Sequence, residues 1–144
     1  MDQSALAHLI GYHLARASVP ARRAFAQRIG RPLGLRPAEF SILQLLARNG
    51  DVTQKQLAQA LLVSAPAVTV LLDRLGQRGL VCRERSARDR RAQLIRLTGA
   101  GAALARRAHR ASLSMERQAF GALGPAERAR LIALLERCTP AAGR

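Results

Sequence analysis

Apolar residues in the N-terminal part of the chain recur at the three- and four-residue spacing of helices that bury one face. Leu6, Leu9, Ile10, Leu14 and Ala17 form the first stripe, with Ser4 placed to cap it. Pro20 removes a backbone donor and crowds the preceding turn, so the pattern predicts a kink or break there before it resumes at Ala24, Phe25, Arg28 and Ile29 and stops near Gly30. Gly30, Pro32 and Gly34 mark a connection. Pro37 then opens a helix that turns Phe40, Leu43, Leu46 and Ala47 inward and ends at Asn49-Gly50.

Further on, Thr53-Gln54-Lys55-Gln56 has the form of a capping box, in which hydroxyl and amide side chains each satisfy the other residue's backbone N–H. The helix it starts reaches about Leu61, and Leu62-Val63-Ser64 makes a short turn. Ser64 caps the next helix, which carries Pro66 in its first turn, a buried stripe of Val68, Leu71, Leu72 and Leu75, and Gly79 as terminator. Two short helices with a tight turn between them define a helix-turn-helix. Leu80–Arg85 and Ala92–Leu97 then flank the very polar Ser86–Arg91, which predicts a β-hairpin with a charged tip, a wing. Thr98 caps a long helix through Leu104, Ala108, Ala111, Met115 and Ala119 to Leu123. Gly124-Pro125 separates it from a last helix carrying Leu131, Leu134, Leu135 and Cys138.

The expected fold is mainly α with one β-hairpin, a single domain over 1–144. A winged helix-turn-helix lobe occupies 37–101, and helices over 4–30 and 104–138 flank it. These flanking helices carry apolar stripes but are too few to bury them alone, so association into a homodimer is expected.

Charge narrows the function. The chain holds 24 Lys+Arg against 9 Asp+Glu, a formal net charge of +15, which points to a polyanionic partner. All the cations but Lys55 are Arg, a preference that GC-rich coding also produces, so the sum of charge carries the inference. Residues 83–96 alone hold six Arg against Glu84 and Asp89. Other classes lack their signatures. The two cysteines, Cys82 and Cys138, cannot build a disulfide framework, and no CxxC or Cys/His cluster suggests a metal. There is no HExxH, GxSxG, phosphate loop or GxGxxG, and the acids are scattered, so neither an enzyme nor a cofactor is expected. The N-terminus has no signal-peptide form, and no apolar run approaches the roughly 20 residues needed to span a bilayer. A cytoplasmic protein without a membrane partner is expected.

The sequence resembles the MarR family of winged-helix transcription regulators. The resemblance lies in Pro37–Ala47, Leu57-Ala58, Val63–Thr69, Leu72–Leu75, Gly79–Val81, Asp89–Arg91 and Ile95–Gly101, and it extends over essentially the whole chain. The Asp-Arg-Arg of the wing followed by Leu-Thr-x-x-Gly is the most specific part. Arg36, where a Thr-like cap is usual, and Cys82, where a charged residue is common, depart from the pattern. The resemblance implies a dimeric repressor released from DNA by a small molecule, often an anionic aromatic compound, bound where the dimerisation helices meet the DNA-binding lobe.

The residues suggest how double-stranded DNA would be held. The outward face of the second short helix is Ala65, Pro66, Ala67, Thr69, Val70, Asp73 and Arg74, small enough to lie deep in a major groove. Thr69 can bond a base edge, and Ala67 or Val70 can touch a thymine methyl. Ser64, at the helix N-terminus, receives a phosphate as well as capping, while Gln54 and Lys55 are candidates for backbone contacts. On the wing, Arg91 suits a narrow minor groove and Arg88 and Arg90 suit phosphates. The resemblance makes Asp89 the partner of Arg91 or Arg74. A two-fold dimer sets the reading helices ~34 Å apart, which implies an inverted-repeat operator.

For the effector, Tyr12, His13 and Arg16 share one side of the first helix, where Arg16 could clamp a carboxylate with Tyr12 or His13 donating to it. A hydrogen-bonded His13 at a dimer interface is the plainer reading. His8 and His109 are expected at the surface. Two alternatives remain open at this point: a nucleoid-type or RNA-binding protein that senses nothing, and a redox regulator acting through Cys82, whose neighbours Arg83 and Arg85 are cationic. Cys138 falls on an apolar stripe as a core or interface residue.

Overall fold

The computed structural model describes residues 1–85 and 93–139. Helix α1 (Ile10–Phe25) passes through Pro20 without a break. The missing amide deprives only the Arg16 carbonyl of a partner, and both residues face water there. The helical geometry changes later, in a π-helical turn at Ala26–Gly30 that leads to the single turn α2 (Arg31–Leu33), closed by Gly34 in the left-handed region at φ 60. Nor does Ser4 cap α1. It begins a separate 3-10 turn whose amide and hydroxyl both go to the Asp2 carboxylate, at 2.9 and 3.0 Å, and Leu9 stands at the start of α1 instead. The Ser4 amide, helped by its hydroxyl, holds the Asp2 carboxyl below its ordinary pKa.

Helix α3 (Pro37–Arg48) buries Glu39, Ile42, Leu43 and Leu46. Ala47, expected inside, is exposed, because the stripe lies one position earlier than the one drawn through Phe40. Phe40 is half-buried and meets Phe25 edge to face at 5.9 Å between centroids. Both halves of the Thr53 capping box form: the Gln56 amide donates to the Thr53 hydroxyl at 3.3 Å, and the Thr53 amide donates to Gln56 Oε1 at 2.8 Å. They start α4 (Gln54–Leu61), and Ser64 caps α5 (Ala65–Gln77). The two axes bend by 112° across a turn in which Leu62 is left-handed, at φ 53.

The sheet has three strands rather than the two of a lone hairpin. The two-residue β1 (Val52–Thr53) pairs with β3 (Gln93–Leu97), which pairs on its other edge with β2 (Val81–Arg85), all antiparallel. Val52 lies opposite Ile95, and Val81 opposite Leu97. Two residues are too few to show strand periodicity in a sequence. Helix α6 (Gly99–Ala119) ends before Leu123, because Phe120 leaves the helical conformation and Gly121 fits close against the Arg117 carbonyl, where a Cβ would lie at 2.8 Å. The last helix, α7 (Pro125–Cys138), buries no residue.

The core joins Ile29, Ile42, Leu43, Leu57, Val68, Leu72, Leu75 and Ile95 to Ala105 and Ala108. Helix α6 is therefore packed into the same core as α3 and α5. Its start is fixed by one junction. The Thr98 hydroxyl donates to the Gly79 carbonyl at 2.6 Å and accepts the Gly101 amide at 3.0 Å, while the Thr98 amide donates to the Leu80 carbonyl at 3.1 Å. The backbone of Leu80 lies so near Gly101 that an added Cβ would meet its carbonyl oxygen at 1.9 Å. Because that obstacle is backbone, Gly101→Ala is expected to lower unfolding free energy by about 3 kcal/mol or more, read from urea denaturation. A variant as stable as the parent would show that the junction yields.

Candidate nucleic-acid interface

Helix α5 buries Val68, Leu72 and Leu75 and leaves the opposite face to solvent. Ala65, Pro66, Ala67, Val70 and Asp73 are exposed, and Thr69 and Arg74 are half-buried. Only small side chains stand between the helix backbone and whatever approaches its first two turns. The Ser64 hydroxyl accepts the Ala67 amide at 3.4 Å, the bond of a cap. Lys55 is exposed in the first turn of α4. Gln54 is tied to α5: its side-chain nitrogen donates to Thr69 Oγ1 at 2.6 Å and to the Ala65 carbonyl at 3.3 Å, while the Thr69 hydroxyl donates to that carbonyl at 3.1 Å. The structure thus brings Gln54, Ala65 and Thr69 into one cluster.

Acids in this lobe tether arginines at positions beyond Asp89, the one acid to which the sequence reading gave that role. Asp73 on α5 accepts from Arg83 on β2 at 2.7 Å, linking the helix to the root of the wing. Arg96 on β3 holds Asp51 at 2.6 Å and Glu84 at 3.0 Å. The buried Glu39 accepts the Arg36 amide at 2.9 Å, which supplies the start of α3 with the acceptor that Arg36 lacks as a cap, and it lies 3.9 Å from Arg78. Arg78 also donates to the carbonyls of Gly34 and Leu33, tying the end of α5 to the α2–α3 connection. Arg96 lies opposite Cys82 across the sheet, and the acid it meets on β2 is the diagonal neighbour Glu84. Arg88, Asp89, Arg90 and Arg91 lie outside the described residues.

The three residues singled out on α1 divide. Tyr12 Oη and Arg16 Nη1 converge on one oxygen, Oε1 of Gln3, at 2.6 and 2.8 Å. His13 Nε2 lies 2.9 Å from the Ala7 carbonyl, and His13 also lines a groove of about 730 Å³ between α1 and α7 with Ile10, Leu14, Phe120, Leu131, Leu134, Leu135 and Cys138. Leu131, Leu134 and Leu135 are exposed within the single chain, as are Ile10 and Leu14. His8 and His109 are at the surface. Cys82 is half-buried, its sulfur 3.8 Å from the Arg96 carbonyl and 3.9 Å from the Glu84 carboxylate, while the Arg83 guanidinium is engaged by Asp73. Among the described residues no group of three His, Cys, Asp or Glu side chains could hold a metal, and no single helix is long and apolar enough to cross a membrane.

A helix-turn-helix followed by a hairpin whose strands extend a small sheet, in a chain of this charge, defines a winged-helix DNA-binding protein. A family model described as MarR family matches residues 33–92. The chain is 32% identical over 128 residues to a protein of Thauera aromatica assigned as a transcriptional regulatory protein for the hcr operon, covering 89% of this chain and 77% of that one. The structure matches the transcriptional repressor CouR bound to a 23-mer DNA duplex with a TM-score of 0.87 at 33% identity, over 96% of this chain and 97% of that one. It matches Bordetella bronchiseptica BpsR, whose DNA binding is regulated by 6-hydroxynicotinic acid, with a TM-score of 0.79 at 28% identity, over 91% and 98% of the two chains. The chain belongs to the MarR family of transcription regulators, a class that binds DNA and is not enzymatic.

Because the Ser64 hydroxyl serves α5 first as a cap, Ser64→Ala is expected to cost about 1 kcal/mol of stability, whereas Ser64→Asp, which caps equally well, leaves it within about 0.5 kcal/mol. Thermal melts of the two variants check this; equal melting of Ser64→Ala and parent would remove the cap from the account.

Proposed function

We propose that the protein is a dimeric transcriptional repressor that grips an inverted-repeat operator and lets go when a small anionic aromatic molecule binds. The observation that carries the DNA-reading part is the unburied, small-residue face of α5 beside the capped helix N-terminus, set at 112° to α4. Ala65, Pro66, Ala67, Thr69 and Val70 enter the major groove, with Ser64, Lys55 and the N-terminus of α5 toward phosphates. The wing reaches the flanking minor groove through Arg91, with Arg88 and Arg90 on phosphates and Asp89 orienting Arg91 or Arg74. The fold shared with CouR on its duplex supports this placement.

Association is supported by α7, which buries nothing, and by the exposed apolar residues of α1 facing it across the groove. A second copy covers both, and two-fold symmetry sets two reading helices on one face of the duplex. The effector reading is supported by the convergence of Tyr12 and Arg16 on a single oxygen. Gln3 Oε1 stands where a carboxylate oxygen fits. Regulation of BpsR by an acidic heteroaromatic compound agrees with that chemistry.

Three measurements bear on this. Arg91→Ala is expected to weaken operator binding by about 1–3 kcal/mol with helicity unchanged, and unaltered affinity would remove the wing from the interface. Parent affinity is expected to fall by about 10³ or more between 50 and 200 mM salt, as release of counterions from six or more phosphates requires. Leu134→Glu is expected to convert dimer to monomer in sedimentation velocity; a persistent dimer would place the interface elsewhere.

A further inference from the structure

We propose that Thr69 offers DNA an acceptor and no donor, and that Gln54 is the positioning residue that enforces this. The operator base facing Thr69 is then an amino base, adenine or cytosine, on the contacted strand. The inference rests on the placement of α5 in the major groove.

A threonine hydroxyl has one hydrogen and two lone pairs. The hydrogen is committed, because the Ala65 carbonyl 3.1 Å away can only accept. One lone pair is committed as well, since the Gln54 side-chain nitrogen donates to Oγ1 at 2.6 Å. The orientation of that amide is fixed by the same carbonyl: nitrogen at 3.3 Å from Ala65 O makes a second bond, whereas a reversed amide would set two bare oxygens against each other. What remains for an incoming ligand is one lone pair on Thr69 and the carbonyl oxygen of Gln54, both acceptors.

The major groove sorts bases by this property. Guanine presents N7 and O6 and thymine presents O4, all acceptors, while adenine N6 and cytosine N4 carry hydrogens. Phosphate oxygens are acceptors too, so the Gln54–Thr69 pair is suited to a base edge and not to the backbone. Every base pair shows one such amine in the major groove, so the pair reads which strand carries the amino base: A or C is accepted, G or T is opposed. Without Gln54 the hydroxyl keeps its bond to the Ala65 carbonyl but loses the second anchor on its oxygen, and the Gln54 acceptor beside it is gone, so the preference for an amine weakens.

The test uses the full chain. Duplexes are selected from a random pool, and each position of the selected site is titrated as all four base pairs with parent, Thr69→Val, Thr69→Ser and Gln54→Ala, with thermal melts confirming that each variant folds. Expected is one position per half-site at which the parent favours A or C over G or T on one strand by about tenfold. Thr69→Val abolishes that preference, Gln54→Ala reduces it to about threefold or less, and Thr69→Ser retains it, with the other positions unmoved. If Thr69→Val fails to fold, the position that relaxes in Gln54→Ala identifies the contact. The proposal is overturned if that position favours G or T, if Gln54→Ala leaves the preference intact, or if Thr69 variants shift no position while the parent still selects a site. A parent that selects no site at all overturns the operator-reading function itself, and this inference with it.

Discussion

The structure depends on one close approach, that of the Gly101 backbone to the carbonyl of Leu80. Here the chain leaves α5, enters the sheet, returns from it and starts α6, so four elements meet within a few residues. A glycine lets the first turn of α6 lie directly on the strand entry, and the Thr98 hydroxyl closes the contact by bonding to Gly79 on one side and Gly101 on the other. The junction between α5 and α6 is thereby made by backbone contact rather than by side chains that could repack.

A second organising feature is the use of acids in a strongly basic lobe. Glu39, Asp51, Asp73 and Glu84 each hold an arginine, and each pairing crosses from one element to another or from strand to strand. Most of these pairs are half exposed, so their worth to stability is small. Their effect is to fix where guanidinium groups stand. Positive charge that would otherwise repel itself across the sheet is held in register, and α5 is joined to β2 through Asp73 and Arg83.

Much of this was legible in the sequence where local chemistry decides the outcome. The capping residues Thr53, Ser64 and Thr98 were readable because each bond is made within three residues, and Gly79 because a residue without a Cβ takes up a positive φ at least cost. The misreadings came where a competitor or a distant partner decides. Ser4 goes to Asp2 two residues back; Pro20 interrupts a bond on the solvent-exposed side of α1; β1 exists only because β3 offers it an edge. At the interface, the outward face of α5 followed from the buried stripe, but the bond from Gln54 to Thr69 joins residues on two helices whose mutual angle no periodicity reveals. The burial of Glu39 was hidden for the same reason, since Arg78, 3.9 Å away, comes from the far end of α5.

Helix α7 carries a consequence of its own. Its 14 residues bury nothing in the single chain, and a helix of that length standing alone in water is marginal. Its order therefore varies with whatever covers it, by mass action. In the proposed dimer, dilution loosens this end of the molecule while the core around Leu43 and Leu75 stays intact. On that proposal the number of copies present becomes a determinant of shape as well as of occupancy.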